Sequence, residues 1–151
     1  MAQSAIELLK KDHQKVRSLL EQLSGTTQRS EKKRQDLLEK IEAELAVHMR
    51  IEEEIFYPAF RDANGKSHQT TYHEAVEEHR AIGKLVLRDL RKTDPGSEQF
   101  AGRARVLKEL VEHHIEDEEE EMLPEAENSM DQETLETLGE KLQARKKALR
   151  K

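Results

Sequence analysis

Apolar residues recur every three to four positions along five stretches of this chain, and each stretch has its own punctuation. Ser4-Ala-Ile-Glu7 reads as a capping box opening a first helix, in which Ile6, Leu9, Val16, Leu19, Leu20 and Leu23 share a face and which Gly25 closes. A second helix is predicted over about 30–61, with Leu37, Leu38, Ile41, Leu45, Ile51 and Ile55 inward. Pro58 should kink or end it, and Asn64-Gly65 marks the next turn. A third helix starts near Ser67 or at the capping box Thr71-Tyr-His-Glu74 and runs to about Lys92, its inner face formed by Tyr72, Ala75, Val76, Ile82, Leu85 and Val86. Thr93-Asp94-Pro95-Gly96 breaks it, and Ser97 is a suitable N-cap for a fourth helix carrying Val106, Leu107, Leu110 and Val111 toward Pro124. A shorter stretch over 132–149 places Leu135, Leu138, Leu142 and Leu149 on one side. Short connections between long helices make antiparallel neighbours, so the expected fold is all-α: an antiparallel four-helix bundle over 1–128. Residues 129–151 add a short C-terminal amphipathic helix, packed on the bundle or at an oligomer contact.

Histidine and glutamate interrupt these apolar stripes, and they do so periodically. His13 lies between Leu9 and Val16, and His48 and Glu52 continue the inner face of the second helix one turn apart. His79 sits inside the third stripe, and His114 with Glu118 ends the fourth. The unit is His-x34-His-x3-Glu-x5-Pro, and its second copy follows the first by 66 residues. The duplicated unit is a helical hairpin, so a pseudo-twofold axis should pair His13 with His79, His48 with His114 and Glu52 with Glu118. Packing alone would repeat Leu and Val; it gives no reason to repeat imidazole and carboxylate. Buried without a cation, these groups would compete for few partners and push the carboxylates toward protonation. A cation turns the same atoms into ligands. A single ion does not readily use six donors from four helices, whereas a pair of ions can share them through bridging Glu52 and Glu118. With no cysteine in the chain, the donors are nitrogen and oxygen, which suits iron or manganese, with zinc a possible substitute.

Composition narrows the partners. Charged residues make up 38% and aromatics 3% of the 151 residues, which favours helices over sheet, and the net charge of −6 argues against general nucleic-acid binding. The basic group Lys141, Arg145, Lys146, Lys147, Arg150 and Lys151 reads as the solvated, dipole-favoured end of the last helix. Neither a signal-peptide core nor a membrane-spanning apolar run is present, so the default expectation is a cytoplasmic protein, monomeric or weakly self-associating.

Over roughly residues 4–127 these motifs resemble the hemerythrin-like family of HHE cation-binding domains. The resemblance implies a non-heme di-iron centre, oxo- or hydroxo-bridged, held by His13, His48, Glu52, His79, His114 and Glu118. It also implies a small diatomic ligand (dioxygen or nitric oxide) or peroxide as partner. Oxygen-carrying hemerythrins have a fifth His one turn from another on the third helix. Here the positions one turn from His79 are Ala75 and Gly83. The set is closer to the di-iron domains of iron-sulfur cluster repair and of iron- and oxygen-sensing proteins, which points away from simple oxygen carriage. Expected functions are therefore binding or sensing of dioxygen, nitric oxide or iron, with peroxide consumption, nitric oxide reduction or cluster repair as the enzymatic alternative. Outside the main set, His113 could pair with Asp117, His73 lies off the inner face, and Glu119 rivals Glu118. Tyr72, two turns before His79, reads as a core aromatic that could approach the site.

Overall fold

Ser4 and Ser97 each stand just before a helix in extended conformation, and their hydroxyls accept from the backbone N–H three residues on, at 3.3 and 3.1 Å. From these caps two long helices start, α1 (Ala5–Ser24) and α6 (Glu98–Asp117). The computed structural model describes residues 3–63 and 68–150, so the turn expected at Asn64-Gly65 and the start expected near Ser67 lie outside the described residues. The other elements are α2 (Glu31–Ile51), α3 (Tyr57–Ala63), α4 (Gln69–Arg80), α5 (Arg88–Arg91), α7 (Leu123–Ser129) and α8 (Gln132–Leu149). The fold is all-α. Widened π-helical turns join α2 to α3 (Glu52–Phe56), α4 to α5 (Ala81–Leu87) and α6 to α7 (Glu118–Met122), so each of these sets forms one rod of the bundle.

These π turns explain where the structure departs from a simple helical reading. Neither Pro58 nor Pro124 ends its helix, because each follows a turn closed by an i to i−5 hydrogen bond, from Tyr57 N–H to Glu52 and from Leu123 N–H to Glu118. The wider turn gives room to a residue that lacks an N–H and whose ring crowds the carbonyl four residues back. An extra residue per turn also shifts the inner face. Leu85, expected inside, is 53% exposed, and beyond the expected Ile82 the third rod buries Leu87 and Leu90 instead. After Glu52 the second rod buries Phe56, Tyr57 and Phe60. Val106 is 52% exposed because it lies one position off the stripe of Phe100, Ala104, Leu107 and Val111. α4 begins at Gln69, so Thr71 lies within its first turn and does not cap it.

The apolar interior is in two layers. One contains Leu9, Ile51, Ala75 and Met122, and the other contains Val16, Leu45, Ile82 and Val111. Each of the four rods thus passes from one layer to the other across a histidine. α8 closes the first layer by burying Leu135, Leu138 and Leu142 against α1, α2 and the Glu52–Phe56 turn, each Leu contributing about 1.5–3 kcal/mol. Three residues of its basic end are engaged: Arg145 pairs with Glu54 at 2.8 Å, Arg150 with Glu44 at 2.8 Å, and Lys146 with Asp12.

Candidate metal centre

Between the apolar layers lies a polar one. His13, His48, Glu52 and Glu118 offer ligand atoms all within 4.8 Å of one another, and so do Glu52, His79, His114 and Glu118. The two sets share both glutamates, and all six residues are at most 4% exposed. All six positions marked by the repeat are therefore brought together. The Nε2 atoms converge: His79 and His114 are 3.1 Å apart, His79 is 3.0 Å and His48 3.2 Å from Glu52 Oε1, and His114 is 2.6 Å from Glu118 Oε1. Four inward atoms, His13 Nε2, His48 Nε2, Glu52 Oε2 and Glu118 Oε2, are buried without a hydrogen-bond partner. Leaving polar atoms so placed costs about 1–3 kcal/mol each, a penalty that coordination to a cation removes. The donor set therefore fits metal ions.

The outward Nδ1 atoms are all held by carboxylates. His48 meets Asp12 at 3.0 Å and His114 meets Glu78 at 2.7 Å, while His13 meets Glu119 at 2.7 Å and His79 meets Glu53 at 2.9 Å. These partners obey the same repeat, since Glu78 follows Asp12, and Glu119 follows Glu53, by 66 residues. Two of the pairs lie within a hairpin and two cross between hairpins. An acceptor on Nδ1 fixes the proton there and leaves the Nε2 lone pair aimed at the centre, as metal-binding imidazoles require. Glu119 is therefore an outer partner of His13 rather than a rival to Glu118. The sequence signal was available, since each of these carboxylates adjoins a repeated His or Glu, but only the inner set was read from it.

Six carboxylates around four imidazoles hold more negative charge than the histidines can balance even when all are protonated. Burial alone would lower the His48 pKa, yet Glu52, Asp12 and Glu118 outweigh it and raise the ring to about 10. The His114 ring is likewise carried well above its usual range by Glu118 and Glu78 against the effect of burial. Asp12 is held down to about 2, because His48 and Lys146 overcome its burial. Without metal, protons take the places that cations can fill, and metal uptake must displace them.

Tyr57 is a further residue that sequence reasoning missed. Its hydroxyl lies 2.9 Å from Glu118 Oε1, 3.0 Å from His79 Nε2, 3.2 Å from Glu52 Oε1 and 3.3 Å from His114 Nε2. It is five residues past Glu52, a spacing that an α-helix turns away from the ligand and the π turn brings back. Burial, with Glu118 and Glu52 beside it, pushes its pKa well above the phenol's usual value, so it stays a hydrogen-bond donor. Its counterpart in the second repeat is Leu123, which makes the two halves of the centre unequal. Tyr72 packs edge-on behind Tyr57, with ring centres 6.5 Å apart and Arg61 4.7 Å over its own ring. His73 is exposed, and His113 is 64% exposed and lies 3.2 Å from Asp117. Gly83 and Met49 line an opening of about 420 Å³ between the second and third rods, and this opening reaches His79 and Glu53.

Comparison with known proteins agrees with this fold. A crystal structure of a hemerythrin HHE cation-binding domain-containing protein from Mycobacterium kansasii superimposes with a TM-score of 0.85 at 30% identity, covering 98% of this chain and 88% of that one. A curated relative from Nostoc sp., named DNA nickase, is 27% identical over 141 residues; these are 93% of this chain but only 38% of that protein's length. The family model for the hemerythrin HHE cation-binding domain matches residues 4–126, and the chain belongs to that family.

Proposed function

We propose that this chain is a non-heme di-iron protein whose centre is held by His13, His48, Glu52, His79, His114 and Glu118, and which binds or senses dioxygen, nitric oxide or iron. The observation that carries the reading is the pair of four-residue donor sets sharing Glu52 and Glu118, with four buried inward atoms that make no hydrogen bond. Each ion would take two imidazoles and a share of both carboxylates. When bound, iron supplies positions at which small oxygen- and nitrogen-containing molecules bind and exchange electrons. The protein's share is to exclude bulk water with apolar layers on both sides and to orient each imidazole through a carboxylate. The opening beside Gly83 and Met49 offers small molecules a way in.

One observation favours an enzymatic second reading. The Tyr57 hydroxyl sits 2.9 Å from Glu118 Oε1 and stays protonated, so it can donate a hydrogen bond or a proton to a small molecule in the centre. Consumption of peroxide or reduction of nitric oxide requires proton transfer, whereas stoichiometric binding of a ligand does not. A nicking activity is not carried over from the Nostoc relative. The chain spans 38% of that protein and carries a net charge of −6, and Arg145, Lys146 and Arg150 are tied to Glu54, Asp12 and Glu44.

Protein purified without added iron should contain about two irons per chain, as di-iron bundles do, with near-ultraviolet absorption of a bridged ferric pair. His48→Ala and Glu118→Ala should each lower the iron content below that ratio. Full loading of both variants would sink the assignment. Peroxide consumed in large excess over protein selects the enzymatic reading, and stoichiometric binding selects the sensor.

A further inference from the structure

The pseudo-twofold is broken on the outer surface of the centre. On the first hairpin, Ala5, Leu8, Ile51 and Ile55 form an apolar face that, around Asp12, is covered by α8. The positions 66 residues later are Thr71, Glu74, Asp117 and Glu121, arranged around Glu78. Here a crevice of about 40 Å³ opens, and Glu118 is among its lining residues. Glu118 is 2% exposed, and its Oε2 has no hydrogen-bond partner. Beside the crevice, His113 on α6 lies 3.2 Å from Asp117, and its Nε2 is 4.0 Å from Glu78 Oε2. Ligand atoms of Glu78, His113 and Asp117 all lie within 4.8 Å of one another. Glu78 links the two places, because its Oε1 holds Nδ1 of the buried His114 at 2.7 Å while its Oε2 faces His113.

We propose that Glu78, His113 and Asp117 form a peripheral site for a divalent cation, through which metal passes along the acidic crevice to Glu118 and the buried centre. The proposal rests on the reading of that centre as a metal site. A solvated helix face explains scattered carboxylates. It does not account for an imidazole 3.2 Å from one carboxylate and 4.0 Å from a second, or for a crevice whose lining includes a buried glutamate with one oxygen that makes no hydrogen bond. A hydrated divalent cation needs oxygen and nitrogen donors it can exchange in turn, and a crevice of this size holds it with one or two waters. The corresponding path in the first hairpin is blocked: Val47 and Ile51 stand where His113 and Asp117 stand, and Lys146 occupies Asp12. Entry is therefore one-sided in a molecule whose interior is nearly symmetric. Ferrous iron is the divalent cation that the buried centre would retain.

The test compares the full chain with its H113A/D117N variant, which leaves every residue of the inner set and its outer carboxylates in place. Iron-loaded wild-type protein, titrated with Mn(II) and read by the EPR signal of free Mn(II), should bind about one further ion per chain, and the variant should not. Anaerobic Fe(II) uptake by metal-free protein, read by chelator trapping at intervals, should be about tenfold slower in the variant yet reach the same final content. Equal Mn(II) binding by both proteins, or equal uptake rates, overturns the proposal. A lower final iron content in the variant also overturns it, by placing these residues in the centre itself. Wild-type protein that takes up no iron refutes the buried centre instead, and the Mn(II) titration then decides the peripheral site alone.

Discussion

Asp12 shows how much of the centre's chemistry is set one atom away from the ligands. Its carboxylate accepts from His48 Nδ1 at 3.0 Å and is itself paired with Lys146 of α8. The charge on Asp12 raises the basicity of the ring, and the hydrogen bond decides which nitrogen keeps the proton. Asp12→Asn keeps size and an acceptor oxygen but removes the charge. Metal affinity should fall about 10–100-fold, the range for loss of a carboxylate behind a ligating imidazole, while helix content is unchanged. Competition with a calibrated chelator measures this. Wild-type affinity in Asp12→Asn would mean that His48 does not depend on its carboxylate. The same reasoning applies to Glu78, Glu119 and Glu53, but Asp12 separates the effect best because the apolar dock of α8 surrounds it on the protein's outer side.

The elements carry the site through their irregularity. His48 with Glu52, and His114 with Glu118, need only ordinary α-helical spacing, which is why all six inner residues were legible as one set from their positions. The caps at Ser4 and Ser97 and the extent of α8 were legible for the same reason, since local hydrogen bonding and apolar period dictate them. The π turns were not. A sequence with Glu52-Glu-Glu-Ile-Phe56 reads equally well as continuous helix, and only the packing of two layers around a polar one selects the wider turn. The extra residue in the Glu52–Phe56 turn hid Tyr57 from the sequence reading, and that in the Ala81–Leu87 turn put Leu85 in solvent. Because Glu52 and Glu118 each open a π turn, metal should act as the clasp on these turns. Chelation is expected to speed amide exchange over 52–60 and 118–126, leaving 31–45 and 98–111 protected by their apolar stripes. Mass-resolved hydrogen exchange reads both. Uniform acceleration along the rods would mean that the metal stabilises the bundle as a whole rather than these turns.

At the scale of the whole molecule, a duplicated hairpin has acquired unequal halves through its last helix. α8 covers the first hairpin's face only, joining the first apolar layer and anchoring Asp12, while the equivalent face of the second hairpin stays polar. The covering depends on a close approach at Gly139, where an added Cβ would meet the backbone of Gln3, with Ala5 N and Ser4 C each 2.9 Å away. Backbone cannot rotate aside as a side chain can. Gly139→Val should therefore lift α8 and cost about 2–3 kcal/mol, which for a chain of this size lowers Tm by roughly 4–12 °C. Gly102 supplies the contrast: it is exposed on α6 with nothing within 4 Å of an added Cβ. Gly102→Ala should be neutral or stabilising by up to about 1 kcal/mol through helix propensity alone. Thermal melts of the two variants, with limited proteolysis of 131–149, separate a docked α8 from a loosely tethered one. Equal melting temperatures and equal protection would leave the asymmetry of the centre to Tyr57 and Leu123 alone.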